Sequence, residues 1–162
     1  MGATIVIEPI VIADHYGEIS KMMHELHVHE HSLFDKTAPW ADIETSYMRH
    51  VMNMQEQCEG LCLVAYVNGE PAGFIFGYVD EQDDSRIEIH EGNELYVSDG
   101  YVKEEHRRLG IYRMLNAALE QHFINKGIKR IIRFTLVNNT NMRQLLDSEG
   151  YGVTRLLYEK WL

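Results

Sequence analysis

Hydrophobic residues recur with a period of two in some segments of the chain and of about 3.6 in others, which distinguishes strands from helices. Residues 31–40 interrupt this pattern and predict an irregular connection. In chain order, the predicted elements are a strand at 4–7, helices at 13–30 and 42–54, strands at Leu61–Val67, Glu70–Asp80 and Glu94–Val102, a helix at 110–127, a strand at 130–137, a helix at 141–148 and a strand at 153–161.

The order of these elements defines the fold class. Asn68-Gly69 joins two apolar strands, and this dipeptide is the strongest short signal for a tight hairpin. Antiparallel hairpins in the first half and a strand–helix–strand unit in the second predict a mixed sheet of the α/β (α+β) class. Since no repeat, linker or low-complexity tract interrupts the pattern, we expect a single domain over residues 1–162.

The composition bears on where in the cell the protein is located. The 162 residues are 45% hydrophobic, which is typical of a globular domain, and no apolar run approaches the ~20 residues of a membrane span. Residues 1–12 lack the basic start and long apolar stretch of a secretory signal. We therefore expect a cytoplasmic protein without a membrane partner, in which Cys58 and Cys62 stay reduced.

The charge balance bears on the partners. Fifteen basic and 25 acidic side chains give a formal net charge of −10. Such a field repels nucleic acid and attracts cations, so it favours a cationic substrate. The same acidity also fits a protein that merely needs to stay soluble.

The segment 102–112 carries the most specific chemical signal. A strand ends at Val102, a charged turn follows, and a long helix begins near Gly110. The unpaired N–H groups and positive dipole at a helix N-terminus suit a pyrophosphate, and a glycine lets the backbone approach it closely. Arg107 and Arg108 place positive charge at this turn of an otherwise acidic protein.

This turn and the order of elements resemble the GNAT superfamily of acyl-CoA-dependent N-acyltransferases over essentially the whole chain. The family signature Arg/Gln-x-x-Gly-x-Gly/Ala is similar to the segment from Arg107 through Gly110 to Tyr112. The hairpin 68–74 and the segment 139–151 resemble further family segments. The resemblance implies acetyl-CoA as co-substrate, no metal, and a CoA site formed by Tyr101, Val102, Arg107, Arg108, Leu109, Gly110, Ile111, Tyr112 and Asn139.

The resemblance also implies architecture and mechanism. It predicts a twisted mixed sheet with helices on both faces, in which the fourth and fifth strands splay apart and admit the pantetheine arm. The amine of a small-molecule or peptide acceptor would attack the thioester directly in a ternary complex. A backbone N–H of the fourth strand would meet the developing oxyanion. Family members often pair, so the apolar edge of the final strand, 153–161, leads us to expect a homodimer.

Two positions depart from the family pattern. Tyr112 stands where glycine or alanine is usual, although its backbone N–H can still face a phosphate if the ring points away along the helix. Leu146 occupies the position of the family's frequent general acid, a tyrosine, and cannot donate a proton. We therefore expect water, or a tyrosine elsewhere such as Tyr151 or Tyr158, to protonate the leaving thiolate.

Removing a proton from the acceptor amine requires a base, which the family places on or near the fourth strand. Glu94 is the first candidate and Asp99 the second, and Ser98 shares a face with Glu94 by the period of two. His90 and Glu91 in the preceding loop are weaker candidates. The alternative is that these are simply polar residues at a strand entry.

Histidines crowd the end of the first predicted helix. His27 and His31 lie four residues apart and share a helical face near Glu30, a spacing that suits a metal, but no third ligand has metal-motif spacing. A solvated helix end, adventitious metal binding and a role at the acceptor pocket remain open. His24 and His29 complete the cluster. The following segment, with Phe34 and Trp40, either lines that pocket or belongs to the core.

Other functions fit parts of the sequence. A non-catalytic acyl-CoA-binding or sensory module would agree with the absence of tyrosine at position 146. A purely structural interaction domain would have no affinity for CoA. If the protein is an enzyme, the sequence does not distinguish polyamines, aminoglycosides, small metabolites and protein amines as acceptors. It also leaves open an acyl group longer than acetyl.

Overall fold

A computed structural model describes residues 2–81, 85–89 and 92–162 of the chain. Short 3-10 turns at Ile12–His15 and Glu104–His106 accompany the regular elements. These elements are β1 (Ile5–Ile10), α1 (Tyr16–Leu33), α2 (Trp40–Gln57), β2 (Leu61–Val67), β3 (Glu70–Asp80), β4 (Glu94–Val102), α3 (Ile111–Ile124), β5 (Ile131–Arg133) and α4 (Thr140–Ser148).

The strands of the described residues form one sheet in the order β1-β2-β3-β4-β5. The first four pair antiparallel, whereas β5 pairs parallel to β4. A parallel neighbour requires a crossover, and the segment containing α3 provides it. The mixed sheet confirms the fold class predicted from the order of elements.

Both faces of the sheet are covered. β2 and β3 are apolar along nearly their whole length, which is typical of strands buried on both sides. One core cluster joins the sheet to α3, and its largest members include Leu95, Phe123 and Leu119. The other lies under α1 and α2, where Met22, Met48, Phe74 and Phe76 are buried.

The hairpin between β2 and β3 has the predicted geometry. Asn68 has φ 51° and Gly69 has φ 86°. Two consecutive positive φ values are required by a type I′ turn, and asparagine and glycine adopt them at the least cost. Asn68 also accepts a hydrogen bond from the backbone of Thr4 through Oδ1 at 3.0 Å, which ties the turn to the start of β1.

A β-bulge in β4 changes which side chains face each layer. Phe76 of β3 pairs with Asp99, whereas the next residue, Gly77, pairs with Val97, so Ser98 is the extra residue. Leu95 and Val97 belong to the α3 core, yet Asp99 bonds to a side chain of α2. One extra residue therefore reverses the alternation and turns Asp99 towards α1 and α2.

The predicted final strand is wrong. Residues 151–162 have no regular secondary structure, and apolar side chains there are exposed, with Leu157 at 91% and Trp161 at 64%. Leu156, Leu157 and Tyr158 are consecutive, so a strand would present them to both faces. In the described part of the chain, β5 has no further strand beside it.

Other boundaries shift by a few residues. α1 continues to Leu33, beyond the predicted end, and α2 begins at Trp40 after Pro39 rather than at an Asp42 cap. The backbone N–H of Asp42 donates to the Pro39 carbonyl at 3.0 Å, so the first turn forms earlier than the polar pattern indicates. β5 covers only Ile131–Arg133 of the predicted 130–137. Within the described ranges, no helix is long and apolar enough to span a bilayer.

Candidate active site

The turn after β4 exposes the N-terminus of a long helix. Arg108 has φ 65°, and Gly110 caps α3 in the left-handed region with φ 75° and ψ 10°. The first N–H groups of an α-helix lack partners within the helix, and here they follow a glycine at the protein surface. The turn therefore exposes backbone N–H groups at a helix N-terminus, the feature from which the sequence predicts an anion site.

Gly110 is required for its conformation rather than for lack of space. A Cβ atom at this position would have no heavy atom of the protein within 4 Å. A positive φ is nevertheless costly for most side chains. The space beside the glycine is open to the protein surface.

The two arginines of the turn have different surroundings. The Nε atom of Arg107 donates to the Val102 carbonyl at 3.0 Å, and its guanidinium lies 5.6 Å from the centre of the Tyr101 ring. This side chain fastens the turn to the end of β4. Arg108 is exposed, so its side chain is free to reach a ligand at the surface.

The remaining predicted CoA residues fall into three environments. Leu109 is half exposed, whereas Ile111 is buried in the α3 core and can contribute only its backbone. The side chain of Asn139 accepts a hydrogen bond from the Met142 N–H at 3.2 Å and caps α4.

The ring of Tyr112 points into the protein rather than away along the helix. It packs on Gly100 of β4, where a Cβ atom would lie 2.7 Å from the tyrosine oxygen. Arg133 of β5 donates to that oxygen, and its guanidinium lies 5.7 Å from the ring centre. The absence of a side chain at position 100 thus makes room for the large side chain at 112.

β4 and β5 separate beside this ring. Their pairing extends only from Leu95–Ile131 to Val97–Arg133, while β4 continues to Val102 against β3. Residues 98–102 consequently have a strand on one side only in the described structure. This opening confirms the predicted splay of the fourth and fifth strands.

Asp99 is the buried acid at the opening. It is 8% exposed, and it accepts hydrogen bonds from the Tyr47 hydroxyl at 2.5 Å and from Ser98 Oγ at 2.7 Å. Burial raises the pKa of Asp99, although both hydrogen bonds and the more distant His50 oppose this effect. A carboxylate with a raised pKa is a stronger base than an ordinary aspartate.

A second acid faces the same cavity. The cavity has a volume of about 100 Å³ and is lined by Met23, Leu26, His27, Glu30, Trp40, Ile43, Tyr47 and Asp99. Burial and the neighbouring Asp99 raise the pKa of Glu30, whereas His27 lowers it. Because Asp99 disfavours the ionisation of Glu30, a positive charge in the cavity would be favoured.

Glu94, the first candidate base, has a different environment. It is fully buried and accepts from Arg86 at 2.5 Å and from Arg130 at 2.9 Å. These ion pairs connect the start of β4 to the preceding segment and to the chain before β5. Both carboxylate oxygens of Glu94 are therefore engaged by guanidinium groups rather than open to an acceptor amine. His90 and Glu91 lie outside the described residues.

The clustered histidines have separate partners. His27 donates from Nε2 to the Ala38 carbonyl at 2.6 Å, and His31 Nδ1 lies 2.7 Å from Thr37 Oγ1. The rings of His24 and Trp40 stack 5.7 Å apart, and burial lowers the pKa of His29. Across the described ranges, no three His, Cys, Asp or Glu side chains are grouped as metal ligands.

We expect dialysis against a strong chelator to leave amine acetylation unchanged. His27 and His31 each use a ring nitrogen for a hydrogen bond to the connection between α1 and α2, so their role there does not depend on a metal. The measurement is the turnover rate before and after dialysis. A loss of turnover that zinc restores would contradict this expectation.

A larger cavity of about 490 Å³ lies between α1 and the turn that follows β4. Its wall is formed by one face of α1 and by the end of β4, and its residues are His24, Glu25, Val28, His29, Ser32, Tyr101, Glu104 and Arg107. Burial and Glu25 raise the pKa of Tyr101, whereas Arg107 opposes this. The side chain of Tyr101 therefore lines this cavity together with Glu104 and Arg107 of the turn that follows β4.

Sequence reasoning missed two features of this site. It did not connect Tyr47 with Asp99, because residues 52 positions apart carry no common local signal. It also considered Glu30 only beside a metal. The pair of Gly100 and Tyr112 left a detectable signal, since glycine inside an apolar strand often marks a close approach by another group.

The geometry and the sequence agree with one protein family. A family model described as the acetyltransferase (GNAT) family matches residues 21–151. Because this match covers most of the chain, the protein belongs to the acetyltransferase (GNAT) family and is an acetyl-CoA-dependent N-acetyltransferase. The family resemblance drawn from the turn and the element order is confirmed.

Individual related proteins have low sequence identity to this chain. A thialysine N-epsilon-acetyltransferase of Caenorhabditis elegans is 26% identical over 145 residues, covering 87% of this chain and 79% of its own. A GCN5-related N-acetyltransferase from Ralstonia eutropha JMP134 has a TM-score of 0.79 at 16% identity, covering 98% of this chain and 99% of its own. An aminoglycoside N-acetyltransferase in complex with CoA has a TM-score of 0.72 at 16% identity, covering 99% and 97%. These structures are similar to this chain in fold.

Proposed function

We propose that this enzyme transfers acetyl from acetyl-CoA directly to the amine of a small cationic acceptor, in a ternary complex. The observation that carries this proposal is the cavity beside β4, which Asp99 and Glu30 both line together with Trp40 and Tyr47. Burial raises the pKa of both acids, so an ammonium group in the cavity would stabilise their ionised forms.

The walls of the cavity favour a cation as well. Trp40 and Tyr47 lie 6.3 Å apart between ring centres, and His24 and His27 border the same indole. Aromatic faces attract cations by about 0.5–2 kcal/mol, depending on how far the site excludes water. The net charge of −10 would draw such an acceptor towards the protein.

Asp99 is the proposed base. An ammonium nitrogen has no free electron pair, so it must lose a proton before it attacks the thioester carbonyl. The β-bulge turns Asp99 towards the acceptor cavity at the point where β4 leaves β5. Asp99 takes the proton, the amine forms the new C–N bond, and the C–S bond breaks with its electron pair on sulfur.

Acetyl-CoA would occupy the other side of the opening. Its pyrophosphate would lie at the turn 107–112, held by backbone N–H groups at the start of α3 and by Arg108. The pantetheine arm would follow the unpaired side of β4. A backbone N–H of this strand would stabilise the oxyanion as it develops.

The names of the relatives are consistent with this acceptor class. Thialysine and aminoglycosides both carry amino groups that are cationic at neutral pH. The acceptors to test are therefore polyamines, aminoglycosides, and lysine analogues with sulfur in the side chain.

The deciding experiment is an acceptor screen with acetyl-CoA that follows release of the free thiol. We expect di- and polycationic amines to react with a higher kcat/KM than neutral or anionic amines of the same length. The matched variant Glu30→Gln should raise the KM for cationic acceptors more than it lowers kcat. A wild type that prefers neutral or anionic amines would contradict the proposed acceptor, and one inert towards all amines would contradict catalysis.

We also propose that the protein forms a homodimer through its C-terminal residues. Val153, Leu157 and Trp161 are exposed, and β5 is the last strand of the described sheet, so one chain offers both an apolar segment and an open edge. In a symmetric dimer, the C-terminal segment of each chain could cover the open β5 edge of the other chain.

Light scattering at micromolar concentration should give about twice the chain mass of 18.9 kDa. The double variant Leu157→Ser, Trp161→Ser should give the monomer mass without loss of secondary structure, because both side chains are exposed in the isolated chain. A wild type that stays at the monomer mass would refute the dimer. A cytoplasmic location and the lack of nucleic-acid and membrane partners remain predictions from composition.

A further inference from the structure

We propose that the Tyr112 hydroxyl donates a proton to the sulfur of CoA as it leaves. Leu146, at the position of the family's frequent general acid, cannot fill this role because its side chain has no acidic proton. This inference rests on the proposed direct transfer. It assigns the acid to the helix that follows β4, within the turn that would hold the pyrophosphate.

The position of the ring supports this role. Gly100 lies beyond Val97, the last β4 residue that pairs with β5, so it borders the opening between the two strands. The tyrosine oxygen would lie 2.7 Å from a Cβ atom at Gly100, so the hydroxyl reaches the β4 backbone at this position. The hydroxyl therefore lies against the part of β4 along which the thioester would run.

Arg133 determines which way the phenolic proton points. Its Nη2 atom donates to the Tyr112 oxygen, and since arginine cannot accept, the proton of the phenol is not used in this contact. Arg133 is itself held by the Asn116 side chain at 2.8 Å and lies over the ring of Tyr151. The guanidinium remains in place to stabilise a phenolate.

Other tyrosines fit the role less well. The Tyr151 hydroxyl donates to Glu120, so its proton already has an acceptor. Tyr158 is 87% exposed in the C-terminal segment. The side chain of Leu146 is buried and has no proton to give.

The surroundings keep Tyr112 protonated until it is needed. Burial raises the pKa of Tyr112, Arg133 on β5 lowers it, and Asp99 on β4 raises it. The hydroxyl therefore retains its proton near neutral pH, as an acid must before transfer.

The proposed step is balanced. When the C–S bond breaks, its electron pair moves to sulfur, and the phenolic proton forms the new S–H bond. The phenolate formed is held by the N–H groups of Arg133. It regains a proton from solvent, which receives in turn the proton that Asp99 took from the ammonium group.

The test is Tyr112→Phe, which keeps the ring on Gly100 and removes only the hydroxyl. We expect kcat to fall on the order of a hundredfold, as for loss of a general acid, with the Kd of acetyl-CoA changed by less than about threefold. A second readout needs no turnover: the thiol pKa of bound CoA, titrated through the ultraviolet absorbance of the thiolate. It should rise by about one unit in the variant, because the thiolate loses a hydrogen-bond donor.

Tyr66→Phe is the matched control. It removes a phenol on β2 whose hydroxyl donates to Glu18 at 2.9 Å, and it should change kcat by less than about threefold and the thiol pKa by less than about half a unit. A Tyr112→Phe variant with unchanged kcat or an unchanged thiol pKa overturns the proposal. If the wild type acetylates no amine, the proposed function fails, yet the thiol pKa of bound CoA still reports whether Tyr112 faces the sulfur.

Discussion

Replacing Asp99 with asparagine is expected to lower kcat for a cationic amine on the order of a hundredfold to a thousandfold. Asparagine keeps the size of the side chain and can still accept from Tyr47, but it cannot take a proton. Since burial raises the pKa of Asp99, the wild-type rate should begin to fall at a higher pH than an ordinary aspartate would cause. The measurement is kcat/KM against pH for both proteins, and the acidic limb due to Asp99 should be absent from the variant.

The same substitution should also change how the free energy of unfolding depends on pH. The native state holds the Asp99 proton more tightly than the unfolded chain, because its pKa is raised on folding. The free energy of unfolding of the wild type therefore falls as pH rises from the ordinary aspartate range through the native pKa. Asp99→Asn should lose that part of the slope, whereas Glu30, whose pKa is also raised, keeps its own part.

These two readouts separate a base from a structural residue. If Asp99 only supported the fold, the variant would lose stability at every pH, and its kcat would follow the folded fraction. A fully folded variant with wild-type kcat would remove Asp99 from the chemistry. In that case Glu94→Gln becomes the next variant to measure, with the loss of two buried ion pairs expected to reduce stability as well.

Gly110→Asp is expected to weaken acetyl-CoA binding roughly a hundredfold or more, which corresponds to about 3 kcal/mol. Two effects act in the same direction. The substitution brings a carboxylate next to the pyrophosphate at the start of α3, where like charges repel. It also forces a side chain onto a backbone with φ 75°. Isothermal calorimetry with acetyl-CoA measures the change directly.

Gly110→Asn separates the two effects. Asparagine has nearly the same shape as aspartate, tolerates a positive φ better than most residues, and carries no charge. It should lose less than about tenfold in affinity. The difference between the two variants should shrink in high salt, because screening weakens the repulsion. Wild-type affinity in the aspartate variant would place the CoA site elsewhere.

The parts of the fold that sequence could predict depend on local signals. β2 and β3 are dense in apolar residues, and Asn68-Gly69 fixes the turn between them, so both strands were predicted with the bounds observed. The turn at Gly110 was predicted because the glycine, the arginines and the helix that follows are adjacent in the chain.

The choice between Glu94 and Asp99 could not be made from a regular period. Alternation along β4 assumes that every residue occupies one place in the ladder, and the bulge at Ser98 breaks this assumption. Whether a strand contains a bulge depends on how its two neighbours pair. The arginines that hold Glu94 likewise approach from separate segments.

The C-terminal segment was predicted wrongly for a different reason. Its apolar content predicted a strand, but a strand also needs an edge to pair with, and composition does not provide one. The sequence of residues 153–161 is therefore compatible with a strand in the sheet of their own chain and equally with contact to the surface of another chain. Only their exposure in the structure draws attention to the second possibility.

Gly100 and Tyr112 also constrain how this protein can evolve. A larger residue at 100 would collide with the tyrosine, since even a Cβ atom would lie 2.7 Å from its oxygen. A small residue at 112 would leave a cavity beside Arg133 and remove one of the partners of its guanidinium. Either change alone is harmful, whereas both together would restore the packing, so the two positions are epistatic. In a double-mutant cycle, the destabilisation from changing both positions should therefore be smaller than the sum of the two single changes.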